Sequence, residues 1–303
     1  MIAVGGLFYN AEPFLDKWFE CLLKQDYPKS EIRLVLVYGA GKDETPQRLR
    51  DIVRHLSRPW RRPFAEIQLF EINRILDGGQ ISDDEWDRYR LNQENVCKVY
   101  NHLTELSRPD DLVIMEQDVE APPDAVRRLT EMRDKLHGDI TAGVTLVTGG
   151  EMRQHLWGGG YLKVTGLPFV SACVYQPGGR RLQGISLQCN RVNSVRVPAA
   201  LVNKVLVADG IATGLCLLTR RVMDAVQFET SNESSQDFYF CRRARDLGFR
   251  IVVDTGLWYE HRHYTYRVEY TEDGLYVTLI DSVKQDGIRF ERELEPTPPS
   301  HLK

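Results

Sequence analysis

Asp111-Leu112-Val113-Ile114-Met115-Glu116-Gln117-Asp118-Val119-Glu120-Ala121-Pro122-Pro123 is the stretch that decides the fold. Leu112 to Met115 form a short apolar run of the kind that parallel sheets bury on both faces. The segment then turns acidic, and the proline pair opens a helix running to about Leu136, since proline is tolerated in a first helical turn. In open α/β sheets, ligands bind beyond the carboxyl ends of the strands. Acids at i and i+2 in that place can both reach one hard divalent cation. Glu116 and Asp118 are therefore candidate metal ligands. The competing role is a helix N-terminus decorated with acids that favour its dipole, which suits Glu120 and Asp124.

Towards the N-terminus the same alternation repeats, and it predicts a mostly parallel α/β sheet. Ile2 to Phe8 reads as a buried strand. Residues 12–25 place Phe14, Leu15, Trp18, Phe19, Leu22 and Leu23 on one helical stripe, and Asp26-Tyr27-Pro28 ends it. Ile32 to Tyr38 is a second buried strand and Thr45 to Leu56 a second helix. A strand at 66–72 and a longer helix at 84–107 follow. Beyond the helix ending near Leu136, strand-like pieces at 140–147, 161–165, 170–175, 205–208 and 214–218 mix with glycine-rich turns. A helix at 236–247 leads into the strand Arg250 to Asp254. Two Asp-Gly pairs, Asp273-Gly274 and Asp286-Gly287, predict a small C-terminal β-meander.

The 303 residues are 42% hydrophobic and 27% charged, with a formal net charge of −4. That excludes a disordered chain and a histone-like polycation. Six cysteines lie scattered without a CxxC pair, which predicts reduced thiols and a cytoplasmic setting. No uncharged run nears the ~18 residues of a membrane span. Charge is nonetheless uneven. From Met152 to Ala208 there is no acid, yet Arg153, Lys163, Arg180, Arg181, Arg191, Arg196 and Lys204 are present. Trp157, Tyr161, Phe169 and Tyr175 are interleaved with them. Such a stretch suits a phosphate-bearing partner, or loops balanced by acidic helices elsewhere. A smaller cluster, Arg54, Arg58, Arg61 and Arg62, surrounds Trp60.

Two further sites could carry chemistry. Asp237 stands at a helix start, where it is either a cap or a carboxylate base that takes a proton from a hydroxyl. His261 and His263, two apart on a strand, point the same way and could each supply an imidazole ligand. Arg90 and Asn95, on the helix before the acids, are candidates for contacts to a diphosphate or a base, against the plainer role of an exposed helix face.

Taken in order, these segments resemble the nucleotide-sugar-dependent glycosyltransferases of the GT-A fold, family 2, in their bacteriophage and prokaryotic form. The resemblance covers roughly residues 1–265. Tyr9-Asn10-Ala11-Glu12, Leu15, Leu22 and Gln25-Asp26-Tyr27-Pro28 are similar to the family's opening, and Glu116-Gln117-Asp118 to its DxD metal motif. Ala212-Thr213-Gly214-Leu215, running on to Arg220-Arg221, resembles its acceptor-side segment. Gln236-Asp237 with Arg242-Arg243 and Gly248 resembles the motif that holds its base.

The resemblance implies an inverting transferase with Mn²⁺ or Mg²⁺ on Asp118, Glu116 and His261, and Asp237 as base. It implies donor contacts from Tyr9, Asn10, Glu12, Tyr38, Asp43, Arg90, Asn95 and Gln117. Acceptor contacts would come from Thr213, Gly214, Gln236, Arg180 and Arg181, with a modified DNA base as one acceptor and a lipid or polysaccharide as the alternative. Residues 1–120 would form the donor half and 121–265 the acceptor half, with 266–303 as the β extension. Tyr38 and Gly39 replace two family aspartates, so Tyr38 would stack on the base. Gln236 replaces an acid beside the base. A binding protein that kept the fold but lost turnover is the rival reading. A sugar nucleotidyltransferase would want a glycine-rich loop and lysine after the first strand, which Gly5-Gly6-Leu7-Phe8-Tyr9-Asn10 does not supply.

Overall fold

The computed structural model describes residues 1–39, 41–72, 85–155, 161–175, 182–184, 187–188, 194–231, 234–261, 264–282 and 289–293. In chain order the first half holds β1 (Ile2–Phe8), α1 (Leu15–Leu23), β2 (Ile32–Gly39), α2 (Thr45–Leu56), β3 (Glu66–Ile72), α3 (Glu85–Leu106), β4 (Asp111–Met115), β5 (Val119–Glu120) and α4 (Ala125–Leu136). There follow β6 (Ile140–Val144), β7 (Leu146–His155), β8 (Tyr161–Val170), β9 (Ala172–Tyr175), β10 (Leu182–Gly184), β11 (Leu187–Gln188), β12 (Ser194–Pro198), β13 (Val205–Ala208), β14 (Gly210–Ile211) and β15 (Leu215–Leu218). The chain continues through α5 (Arg220–Ala225), α6 (Gln236–Asp246), β16 (Ile251–Trp258), β17 (Glu260–His261), β18 (Tyr264–Thr271), β19 (Gly274–Ser282) and β20 (Arg289–Glu293). It forms two compact units. The larger contains 1–145, 172–183 and 203–261, and the smaller 146–171, 184–202 and 262–303.

The larger unit is a mixed α/β layer structure around an eight-stranded sheet, ordered β13-β16-β6-β15-β4-β1-β2-β3. β1 pairs in parallel with β2 and β4, β2 with β3, and β16 with β6. Only β15 and the edge strand β13 run against their neighbours. β1 and β2 are buried almost throughout, which explains why they read as continuous apolar runs. Fully burying a large aliphatic side chain contributes about 1.5–3 kcal/mol, and Val4, Leu34, Leu36 and Val113 all lie in this core. α1 presses Leu15, Trp18, Phe19 and Leu22 onto the sheet, and the Trp18 indole donates to the Met115 carbonyl at 3.1 Å. That bond fixes the end of β4. α1 starts at Leu15 and not at residue 12, because Ala11 to Phe14 form a turn in which Phe14 N–H donates to the Ala11 carbonyl. Among the described residues, no helix is long and apolar enough to cross a membrane.

The smaller unit holds two antiparallel sheets, β11-β12-β19-β18 and β20-β8-β7. The hairpin expected at Asp273-Gly274 joins β18 to β19. A free-standing C-terminal meander does not form, because β19 also pairs with β12 and β20 pairs with β8. Those partners lie far away in the sequence, Ser194 opposite Thr278 and Thr165 opposite Arg289, and no local pattern announces them. β12 was absent from the strand expectations for the same reason.

Candidate metal and acid–base site

Three loops meet at the carboxyl ends of β1, β2 and β4, and backbone-to-side-chain bonds stitch them together. Tyr9 N–H donates to Gln117 Oε1 at 2.8 Å, Ala11 N–H to Thr45 Oγ1 at 2.7 Å, and Lys42 N–H to Asn10 Oδ1 at 2.8 Å. Asn10 sits at φ 48°, the left-handed region that asparagine tolerates better than most residues. Asp43 accepts from Glu12 N–H at 3.0 Å and from Thr45 N–H at 3.1 Å. Burial alone would raise its pKa, but the bonds from Thr45 and Glu12 outweigh that and hold it below the ordinary carboxylate value. Asp43 is thus an anchor for the Glu12 loop and the α2 start.

At this end Glu116, Asp118 and His261 gather. Their potential ligand atoms all lie within 4.8 Å of one another. His261 Nε2 is 3.5 Å from Asp118 Oδ2 and 4.0 Å from Glu116 Oε2. The backbone explains the meeting, because β17 pairs antiparallel with β5 and sets His261 opposite Val119, the residue after Asp118. Asp118 is buried, and the other two are partly buried. Two carboxylates and an imidazole are a donor set for a hard or borderline divalent ion such as Mg²⁺ or Mn²⁺. The cluster therefore fits such an ion.

Behind Glu116 lies a layer that the sequence reading missed. The Tyr100 hydroxyl donates to Glu116 Oε1, and Thr213 Oγ1 donates to the Tyr100 oxygen at 3.2 Å. Burial first, and then the Glu116 charge, push the Tyr100 pKa well up. Glu116 N–H donates to the Gly214 carbonyl at 3.0 Å. A Cβ at Gly214 would stand 3.0 Å from the Tyr259 hydroxyl and 3.4 Å from Glu116 Oε2, so glycine permits this close approach. Thr213 is 2% exposed, and both Thr213 and Gly214, expected on the acceptor side, lie in this layer. Tyr100 was unreadable as such, since on α3 it occupies the same apolar stripe as Cys97 and Leu103.

Asp237 is buried at the first turn of α6. It accepts from the Ser235 hydroxyl and, at 2.9 Å, from Phe238 N–H. Burial raises its pKa, and these hydrogen bonds partly offset the rise. The Cys216 thiol on β15 is pushed well up by burial, then by Cys241, Glu116 and Asp237, so both carboxylates lie within electrostatic reach of one thiol. A ring stack joins the same regions. Tyr100 lies on Phe228 at 4.8 Å, and Phe228 on Phe240 at 4.1 Å, three residues beyond Asp237. Asn101 clamps Phe228 through both its N–H and its carbonyl.

Other expected contacts fare differently. Tyr38 is 4% exposed, its hydroxyl donating to Glu71 at 2.9 Å and accepting from Arg50 at 3.0 Å. It packs in the core, with its hydroxyl held between Glu71 and Arg50. Tyr9 is exposed, while Glu12 and Asn95 are partly exposed. Gln236 Oε1 is buried and meets no donor among the described residues. Arg180, Arg181, His263 and the Arg90 side chain lie outside the described residues, as do residues 156–160, 176–181, 185–186 and 189–193 of the acid-free stretch.

No protein-family model matches the sequence, and no curated protein matches it. Solved structures similar to this chain include TarS from S. aureus, at 14% identity and TM-score 0.48, covering 85% of this chain and 36% of that one. TarS 1–349 in complex with UDP-GlcNAc gives 16% identity and TM-score 0.46 over 88% and 62%. GalNAc-T7 with UDP, GalNAc and Mn²⁺ gives 13% and 0.48 over 86% and 43%. The chain thus spans roughly a third to three-fifths of the length of these solved chains. At such identities the likeness concerns the path of the chain alone, and the chemistry is read from this chain's own residues.

Proposed function

We propose that this chain is a GT-A glycosyltransferase that moves a sugar from a nucleoside diphosphate donor to a hydroxyl acceptor with inversion. The observation that carries this reading is the Glu116, Asp118 and His261 cluster at the carboxyl ends of parallel strands. A divalent cation held there, Mn²⁺ or Mg²⁺, supplies charge stabilisation to the leaving diphosphate. Asp237 accepts the acceptor's proton as the new C1–oxygen bond forms and the C1–phosphate oxygen bond breaks. A raised pKa suits that task, because a base works best with a pKa near the operating pH. The buried Gln236 Oε1 would accept a hydrogen bond from a second, non-reacting hydroxyl of the acceptor, since a buried acceptor left unpaired costs ~1–3 kcal/mol.

Tyr9, Asn10, Glu12 and Asn95 remain donor contacts in this reading, with Gln117 holding the Tyr9 loop and Asp43 the Glu12 loop. The acid-free stretch, with Arg180 and Arg181, supports an anionic acceptor such as a modified DNA base, in the cytoplasm of a host cell. The test is thermal stabilisation and donor turnover across a panel of nucleotide-sugars with Mn²⁺, headed by UDP-GlcNAc, with and without chelator. The expected result is metal-dependent stabilisation by one nucleotide class and release of its diphosphate. Chelator-insensitive turnover would remove the cation from the reading, and stabilisation without turnover would leave a binding protein. For the acceptor, a salt titration of duplex DNA binding should give a steep loss of affinity, shallower in Arg180→Ala/Arg181→Ala.

A further inference from the structure

The Trp60 turn lies at the other end of the central sheet and belongs to no part of the chemistry above. Arg61 N–H donates to the Arg58 carbonyl at 2.8 Å, closing a turn with Pro59 and Trp60 at its tip. Proline in the second turn position fixes the backbone, so the tip is held rigid. Leu56 and Phe64, both buried, anchor its two ends, while residues 57–62 are all exposed. Trp60 is 76% exposed, more than any other large hydrophobic side chain among the described residues. Burying such a ring in water-excluded surroundings is favourable.

The charges around the ring are of one sign. The Arg58 guanidinium lies 6.0 Å from the Trp60 ring centre. Arg61 is bonded to the His55 ring at 2.8 Å and Arg62 to the Ala65 carbonyl at 2.7 Å. Neither partner is a carboxylate, so these cations keep their charge for an outside partner. Among the described residues, Arg54 alone of the four meets a carboxylate, Asp51 at 2.7 Å. No acid occurs between residues 52 and 65, and Glu66 flanks the far side.

We propose that this turn docks the protein on the surface of an anionic phospholipid bilayer. Tryptophan prefers the headgroup level, where its ring is apolar and its N–H stays wet. Arginines around it keep their stems on the apolar side and their heads on lipid phosphates. A projecting rigid tip with one aromatic fits a bilayer better than a single-stranded nucleic acid, which takes a groove with successive stacking platforms. The turn precedes β3, so it sits at the amino ends of the parallel strands, whereas the acid cluster sits at the carboxyl ends. β3 alone separates these ends by about 23 Å. Docking through Trp60 therefore leaves the acid cluster facing water.

The experiment sediments the full chain with vesicles of phosphatidylcholine, with or without phosphatidylserine. Binding is expected only with the anionic lipid and should weaken as salt rises. Removing arginines should cost about fivefold each, so Arg58→Ala/Arg61→Ala/Arg62→Ala should lose about a hundredfold. Trp60→Ala changes an exposed side chain, so the thermal midpoint should hold while vesicle binding falls several-fold. Quenching of tryptophan emission by brominated lipid should disappear with it. No binding to anionic vesicles, equal binding to neutral ones, or an unaffected Trp60→Ala would overturn the proposal. Binding of a single-stranded oligonucleotide lost in the same variants, without vesicle binding, would reassign the surface to nucleic acid.

Discussion

β4 begins and ends in acids, and the two ends treat them in opposite ways. At its amino end Asp110 meets Arg33 at 2.8 Å, and Asp111 meets Arg133 at 2.9 Å. The Arg33 guanidinium also donates to the carbonyls of Leu106, Ser107 and Arg108. At the carboxyl end Glu116 and Asp118 share their space with an imidazole at 4.0 and 3.5 Å. The first arrangement neutralises charge with geometry already complete. The second concentrates carboxylate oxygens where a cation would complete them. The same residue type is thus scaffold or chemistry according to its partner.

The largest expected effect comes from breaking the open end. Asp118→Ala should lower donor turnover by about three orders of magnitude, matching the several kcal/mol a metal Lewis acid supplies. Mn²⁺ binding should be lost while the thermal midpoint barely moves. Glu116→Ala should be milder, and the reverse order would reassign the inner ligand. Asp237→Asn should cost about 10²–10⁴ in turnover with donor binding retained. Its stability response has a definite sign. Burial raises the folded pKa of Asp237 above the unfolded value, so the folded state holds the proton more tightly. Wild-type stability then falls as pH rises from the unfolded pKa through the folded one. The asparagine variant lacks that term and should be relatively more stable near neutral pH than in acid. A variant that instead loses stability at neutral pH and keeps turnover would make Asp237 a cap.

Breaking the closed end should separate the two roles. The Arg33 and Asp110 side chains are only 7% and 12% exposed. Arg33→Ala strands a buried carboxylate, so it should cost about 3–5 kcal/mol in a urea titration. Mn²⁺ affinity of the folded fraction should be unchanged. A drop in affinity would mean that the two ends of β4 are not independent.

Much of this comparison could be read from the residues. Apolar runs gave β1, β2 and β4, because a strand buried on both faces leaves no other pattern. Glu116 and Asp118 followed from their place after β4, and His261 from the resemblance. The burial of Tyr38 was not legible, because a tyrosine at a strand end looks the same whether its ring faces solvent or core. Antiparallel pairing of β15 with β4 brings the preceding Gly214 against Glu116. That pairing joins segments a hundred residues apart, and no local spacing encodes it. Tyr100 was invisible for a related reason. A tyrosine on an apolar helical stripe announces burial, and only the fold reveals what its hydroxyl meets.

The smallest expected effect tests that hidden layer. Tyr100→Phe keeps the ring that stacks on Phe228 and removes the hydroxyl that donates to Glu116. The packing loss should therefore be slight, and the metal-free thermal midpoint should shift by only a few degrees. Glu116 Oε1 would lose its donor, and the carboxylate would no longer be held with Oε2 towards His261. Partners that orient a metal ligand are worth about 10–100-fold in affinity or activity. Titration of Mn²⁺ into the donor-free protein, followed by the ion's paramagnetic signal, should show a loss of that order. Thr213→Val removes the donor to the Tyr100 oxygen and should act in the same direction but more weakly, since Tyr100 can still donate to Glu116. If Tyr100→Phe lowers the midpoint strongly while leaving Mn²⁺ affinity intact, the hydroxyl is part of the core, and Glu116 is positioned without it.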